Sequence, residues 1–166
     1  MLNRLREKEP LSTSHLGGMM TPRRTMLLVE DNESDVELTR RALERGHVDS
    51  ELVVAGDGQI ALEYLFGNGA YEGRDVSRTP AVVLLDLKLP RVPGLEVLRR
   101  IRQDERIKHL PVVILTTSTE NSDLLSGYKF GANSYLSKPV DFNEFSESVN
   151  KVCVYWLKMN RHPYER

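Results

Sequence analysis

The chain has 166 residues, of which 40% are hydrophobic and 28% charged, and its formal net charge is −1. This length and composition are typical of one domain with a buried core, and the near-zero charge gives no general electrostatic case for nucleic acid or an anionic membrane. Cys153 is the only cysteine, which excludes an internal disulfide and a thiolate cluster and is typical of a reducing cytoplasm. No stretch approaches the ~20 apolar residues of a membrane span.

Short apolar strands and amphipathic helices are predicted to alternate five times between a polar extension (residues 1–24) and a short polar tail (159–166), so that residues 25–158 form the domain. Strands are predicted at 25–29, 51–55, 81–85, 112–115 and 134–136, and helices at 34–45, around 61–65, from 94, at 122–130 and at 141–158. A capping box of Ser34 and Glu37 is expected to start the first helix, and Gly46 to end it. This order predicts an α/β fold with a doubly wound parallel sheet.

The most informative stretch is the apolar run that ends in a single carboxylate, Asp86, followed closely by Pro90. Such a run is typical of a strand buried on both faces, and a lone carboxylate inside it would cost several kcal/mol. We therefore expect Asp86 at the carboxyl end of the strand, the edge where open α/β sheets bind ligands. The other strands are expected to bring further polar residues to this edge, namely Glu30, Asp31, Thr116 and Lys138.

These side chains suit phosphoryl chemistry at a magnesium site. Three carboxylates without histidine or thiolate favour Mg²⁺ over zinc. Lys138 and Thr116 could bind phosphoryl oxygens, and an aspartate such as Asp86 can accept a phosphoryl group. Each piece alone is also typical of a helix start, a helix cap or a surface turn. The prediction depends on their joint order and spacing.

The sequence closely resembles the receiver domain of two-component response regulators over about residues 25–157. The matching segments are LLVEDN (27–32), LLDLKLP (84–90), Gly94, ILTTS (114–118) and YLSKP (135–139). The resemblance implies a flavodoxin-like (βα)5 fold with strand order 2-1-3-4-5. It also implies a signalling protein that catalyses only its own phosphorylation and dephosphorylation.

The resemblance further assigns roles to the edge residues. Asp86 would accept a phosphoryl group from a sensor histidine kinase. Asp31, Asp86 and the backbone carbonyl of Lys88 would bind Mg²⁺, and Glu30 would support the metal through its bound water. Lys138 would pair with a phosphoryl oxygen, and Thr116 and Tyr135 would form the switch. A half-buried strand tyrosine without a switch role is the alternative for Tyr135.

Two departures and a narrower resemblance refine this interpretation. Pro93 stands where many receivers have aspartate, which should stiffen the loop without removing a ligand. Lys88 and Ser118 occupy variable positions that in this family tune hydrolysis of the acyl phosphate. Segments 29–43, 86–98 and 115–145 resemble the small stand-alone regulators paired with bacterial and cyanobacterial phytochrome kinases.

The last helix predicts a homodimer. A helical stripe of apolar residues should face the sheet, namely Phe142, Phe145, Val149, Val152 and Trp156. Residues 152–157 are nevertheless apolar nearly all round, which favours a second partner at this end. Cover by the N-terminal extension or a loop is the alternative.

Two other function classes stay open at this point. A pseudo-receiver would act as an interaction scaffold without phosphorylation, although the intact acidic and Lys-Thr set argues against it. A metal-dependent phosphohydrolase would use Asp86 as a transient nucleophile. Enzymes of the haloacid dehalogenase type carry a second aspartate where this chain has Lys88, and no P-loop motif is present.

Overall fold

A computed structural model describes residues 23–163. Residues 1–22 of the predicted extension and 164–166 of the predicted tail lie outside the described residues. Within 23–163, none of the helices is long and apolar enough to cross a membrane.

The described residues form five strands and five α-helices in strict alternation. The strands are β1 (Arg24–Val29), β2 (Ser50–Ala55), β3 (Val82–Leu85), β4 (Val112–Thr116) and β5 (Ser134–Ser137). The helices are α1 (Glu33–Arg45), α2 (Gly58–Phe66), α3 (Gly94–Gln103), α4 (Asn121–Lys129) and α5 (Phe142–Val154). A 3-10 turn over Gly69–Tyr71 follows α2, and a π-helical segment over Tyr155–Met159 extends α5.

All strand pairs are parallel, in the order β2-β1-β3-β4-β5, which confirms the predicted fold class and strand order. Alternate residues of a strand point to opposite faces, so the sheet has an apolar core on each side. On β1, Leu27 belongs to the core on one face of the sheet, together with Leu98 of α3. Met26 belongs to the core on the other face, together with Val149 of α5. Burial on both faces explains the unbroken apolar run of β3.

The start of α1 differs from the prediction. Asn32, and not Ser34, is the N-cap, because its side-chain oxygen accepts a hydrogen bond from the backbone N–H of Asp35 at 3.1 Å. Ser34 lies inside the helix and is exposed. Asparagine caps helices at least as well as serine, so the earlier residue takes the position. The predicted end at Gly46 is confirmed.

The buried face of α5 also differs in part. The buried side chains are Phe145, Val149, Cys153 and Leu157, whereas Phe142 is 41% exposed. Val152 and Trp156 are only partly buried. These buried residues are four positions apart, which is slightly more than one helical turn of 3.6 residues. The buried stripe is therefore inclined to the helix axis, and Phe142 lies outside it.

Candidate functional site

The three predicted metal ligands come together at the carboxyl edge of the sheet. Glu30 follows β1 and Asp86 follows β3; these side chains are buried, while Asp31 is exposed. One carboxylate oxygen from each residue can be chosen so that all three lie within 4.8 Å of one another. Parallel strands end at the same edge, which is why residues so far apart in sequence converge.

Lys138 is the cation of the site. Its ammonium donates to the Asp86 Oδ2 atom at 3.0 Å, to the Asp35 Oδ2 atom at 2.8 Å, and to the carboxylate of Glu30. Burial alone would lower the pKa of Lys138, but these three hydrogen bonds outweigh it and raise the pKa above its ordinary value. Lys138 is therefore a fixed positive charge at neutral pH.

Glu30 is the acid whose charge the site controls most strongly. Burial raises the pKa of Glu30 to about 7, although hydrogen bonds from Lys138 and from the backbone N–H of Asn32 oppose the shift. A carboxylate with this pKa is only partly ionised at neutral pH when no metal is bound. A divalent cation would favour the ionised form.

The loop after β3 is closely packed around Asp86. The backbone N–H of Lys88 faces the Asp86 Oδ1 atom at 3.4 Å, so the loop itself contacts the carboxylate. The N–H of Gly94 donates to the Leu87 carbonyl at 2.9 Å. A Cβ atom on Gly94 would lie 2.1 Å from the Asp86 carbonyl oxygen, so only glycine allows α3 to begin this close to the strand end.

Thr116 and Tyr135 lie on the neighbouring strands. Thr116 is fully buried, and its carbonyl accepts a hydrogen bond from the Lys138 N–H at 2.7 Å. The Thr116 Oγ1 atom accepts from the Ser118 N–H at 3.3 Å, and the Ser118 hydroxyl donates to Asp123 at 2.5 Å. The Tyr135 hydroxyl is shielded from solvent. Burial, followed by the charge of Asp123, raises the pKa of Tyr135.

The structure thus unites Glu30, Asp31, Asp86 and Lys138, and it joins Thr116 to them through the backbone of Lys138. Lys88 contributes its main chain to the site, and the residue is exposed. Sequence reasoning missed Asp35, which is the third carboxylate on Lys138. The available signal was its position in the first turn of the helix that directly follows Glu30 and Asp31, which places it at the same edge of the sheet.

The donor set fits a hard divalent cation. Glu30, Asp31 and Asp86 form the group of possible ligands, Asp35 is a further carboxylate beside them, and Lys138 is the one cation paired with Glu30, Asp35 and Asp86 within residues 23–163. Carboxylate oxygens with open coordination positions are what Mg²⁺ prefers, and a dication would offset the excess negative charge. No histidine or thiolate belongs to this set, as expected for a site that does not select zinc.

Comparison with known proteins identifies the family of this arrangement. Residues 26–150 match the family model of the response regulator receiver domain. The chain belongs to the response regulator receiver domain family. It is therefore a signalling protein, and receiver domains bind a divalent metal and receive phosphoryl groups from histidine kinases.

Two curated relatives match most of the receiver. The probable methanogenesis regulatory protein FilR2 of Methanothrix harundinacea is 44% identical over 138 residues, which cover 83% of this chain and 86% of the relative. Response regulator Rcp1 of Synechocystis sp. is 36% identical over 137 residues, which cover 82% of this chain and 91% of Rcp1.

Solved structures agree in fold and point to phytochrome regulators. The Mn²⁺-bound form of Rcp1 has a TM-score of 0.78 at 35% identity and covers 84% of this chain and 99% of its own. The phosphorylated cyanobacterial phytochrome response regulator RcpA has a TM-score of 0.79 at 34% identity and covers 85% and 99%. The receiver is homologous to these proteins, one of which was solved with a divalent metal and the other phosphorylated.

Proposed function

We propose that Asp86 accepts a phosphoryl group from the phosphohistidine of a sensor histidine kinase in an Mg²⁺-dependent phosphorelay. The observation that carries the proposal is the buried Asp86 carboxylate, on which Lys138 and two further carboxylates converge. Such a site combines an acceptor with a fixed cation and a metal-binding group, which are the parts that phosphoryl transfer requires.

Glu30, Asp31, Asp86 and the backbone carbonyl of Lys88 would hold the ion. When bound, Mg²⁺ neutralises the acidic cluster and shields the oxygens of the incoming phosphoryl group. A carboxylate oxygen of Asp86 forms the new bond to phosphorus, while the P–N bond of the phosphohistidine breaks and its electron pair leaves with the imidazole. Lys138 then exchanges a carboxylate partner for a phosphoryl oxygen.

The switch would follow from the residues beside the acceptor. The Thr116 hydroxyl donates its hydrogen to a phosphoryl oxygen, which its present role as acceptor from the Ser118 N–H does not prevent. Gly127 of α4 lies against Ile114 of β4 and Tyr135 of β5, which a Cβ atom at Gly127 would meet at 2.9 and 3.1 Å, so a shift of either strand would reach the α4 surface. The exposed side chains Leu125 and Tyr128 make that surface available to a partner.

The partner kinase is proposed to be a phytochrome kinase of the cytoplasm. The support is the phytochrome response regulator RcpA, whose structure matches 85% of this chain and 99% of its own length. We assign the receiver to residues 25–158, with 1–24 as an extension and 159–166 as a tail. The family match at 26–150 is consistent with the receiver boundaries.

A homodimer through the end of α5 is part of this proposal. Met159 is 66% exposed and Tyr155 is 47% exposed, next to the half-buried Trp156, which leaves an apolar surface at the helix end. Sedimentation with and without phosphorylation tests it. The mass of the wild type should rise with concentration, and Tyr155→Glu should have a lower mass than the wild type at the same concentration. A monomer mass of the wild type at all concentrations contradicts the homodimer.

The phosphorylation proposal is tested by intact mass after incubation with Mg²⁺ and acetyl phosphate. Wild type and the control Asp49→Asn, an exposed carboxylate paired with Arg23, should each gain one phosphoryl group. Asp86→Asn and an EDTA sample should gain none. A gain that persists in Asp86→Asn would refute the acceptor, and no gain in folded wild type would favour an interaction scaffold. Multiple turnover on a small phosphate ester would instead indicate a phosphohydrolase.

A further inference from the structure

The loop between β3 and α3 contains a backbone conformation that requires an explanation. Arg91 has a φ of +65°, and His47 is the only other non-glycine residue with positive φ among residues 23–163. This left-handed region is unfavourable for a residue with a Cβ atom and persists only when neighbouring structure imposes it. Something outside the loop must therefore hold Arg91.

The Arg91 side chain is paired with Asp57. The Arg91 Nη1 atom donates to the Asp57 Oδ2 atom at 3.2 Å, and the Asp57 side chain is only 12% exposed. The Asp57 Oδ1 atom accepts from the Ile60 N–H at 2.8 Å and so caps α2. Asp57 is thus fixed by the helix, and it connects the loop of Arg91 to a rigid element.

The loop and α2 also meet through their backbones. The Gly58 N–H approaches the Pro90 carbonyl at 3.4 Å. A Cβ atom on Gly58 would lie 2.0 Å from the Val92 carbonyl oxygen. Contact on both sides of Arg91 means that the loop cannot relax without leaving α2.

The same loop carries main-chain groups of the metal site. Only two residues separate Arg91 from Lys88, whose N–H faces the Asp86 Oδ1 atom at 3.4 Å and whose carbonyl is the proposed metal ligand. Pro90 is one of those two residues, and its fixed φ reduces the number of free torsions between Arg91 and Lys88.

We propose that the Asp57–Arg91 pair is a positioning clamp that holds the β3–α3 loop in its metal-binding conformation and thereby sets the affinity for the divalent cation. The inference rests on the metal site of the proposed function. Arg91 does not touch the reacting groups; it acts through the backbone of the loop, as outer partners of metal ligands commonly do.

The effect of charge and the effect of position have opposite signs at Arg91. Removing a cation near an acidic site should by electrostatics alone tighten cation binding. Removing a clamp should weaken it. Arg91→Ala and Arg91→Gly have the same charge, but only glycine tolerates a φ of +65° without a clamp. Comparison of these two variants isolates the backbone.

Mn²⁺ binding measured by the EPR signal of the free ion tests the clamp. Arg91→Ala should bind Mn²⁺ roughly tenfold more weakly than wild type, as losses of outer partners typically do. Arg91→Gly should recover most of the affinity, and Asp57→Asn, which can still cap α2, should weaken it. The matched control is Arg106→Ala, which removes an equally exposed arginine paired with Asp104. An Arg91→Ala variant that binds Mn²⁺ as tightly as wild type overturns the clamp.

A metal-free measurement separates failure of the clamp from failure of the metal site. The amide chemical shift of Lys88 should move in Arg91→Ala and stay close to wild type in Arg91→Gly and in Arg106→Ala. Wild type that binds no Mn²⁺ would contradict the metal site, and the clamp would then be judged by this shift alone. An unmoved Lys88 amide in Arg91→Ala refutes the clamp. Urea denaturation of each variant confirms that the compared proteins are folded.

Discussion

Removing the charge of Asp86 should stabilise the protein when no metal is bound. Glu30, Asp35 and Asp86 share one ammonium at the site, and Asp31 adds a fourth carboxylate beside Glu30 and Asp86, so the acceptor is electrostatically crowded without a dication. Asparagine has nearly the shape of aspartate, and its one oxygen can still accept the hydrogen bond from Lys138, while its NH2 group replaces the oxygen that faces the Lys88 N–H at 3.4 Å. The substitution Asp86→Asn therefore removes a charge with little change in packing.

The magnitude follows from the distances. The ion pair between Asp86 and Lys138 at 3.0 Å contributes about 5.5 kcal/mol at an effective dielectric constant of about 20. The oxygens of Glu30 and Asp31 lie within 4.8 Å of Asp86, so each contributes a repulsion of at least about 3.5 kcal/mol on the same scale. Two repulsions exceed one attraction by at least about 1.5 kcal/mol. A neutral amide also avoids the cost of burying a charge that is only 8% exposed.

Urea and thermal denaturation at pH 8 in EDTA measure the difference, because Glu30 with a pKa of about 7 is then ionised. Asp86→Asn should unfold roughly 3–6 °C above wild type, and Asp49→Asn should lie within about 0.5 kcal/mol of wild type. Saturating Mg²⁺ should close or reverse the gap by stabilising wild type, by about 2.7 kcal/mol at 100 times Kd. An Asp86→Asn variant that is less stable than wild type in EDTA would refute the electrostatic argument.

Three further predictions follow from burial and close contacts. Because burial raises the pKa of Glu30 from 4.5 to about 7, the folded state binds more protons than the unfolded chain between these values. Metal-free wild type should therefore lose about 2 kcal/mol of stability as pH rises from 5 to 7. Urea denaturation in EDTA should show no such loss for Glu30→Gln, and equal slopes in both proteins would exclude this assignment. Gly94→Ala places a Cβ atom 2.1 Å from the Asp86 carbonyl oxygen and should destabilise by about 1–3 kcal/mol. Gly56→Ala, which meets nothing within 4 Å, is its control in the same urea series, and equal loss in both would show that close approach is not the cause. Burial raises the pKa of the Cys153 thiol to about 12. A disulfide reagent at pH 8 should therefore label the native protein slowly and the guanidinium-denatured protein at once. Fast labelling of the native protein would contradict the buried position.

Patterns within single segments were sufficient for the α/β class and for the edge where the candidate site lies, whereas the strand order came from the family resemblance. The apolar run before Asp86 predicted a strand buried on both faces, and strand and helix alternation predicted a parallel sheet. In such a sheet all strands end at one edge, so Glu30, Asp31 and Lys138 could be placed beside Asp86 before any contact was known. This inference needs the order of the elements and no side-chain geometry.

Rotations and loop closures were decided only by the tertiary structure. Asp35 reaches Lys138 because α1 turns that side of its first turn toward the edge, and Asp57 reaches Arg91 because the β3–α3 loop packs on α2. These pairs are separated by 103 and 34 residues. Local periodicity reports which face of a segment is apolar, but partners across elements depend on how each helix is inclined and on the backbone angle at single loop residues. For the same reason Phe142 was assigned to the core by its spacing and is exposed in the fold.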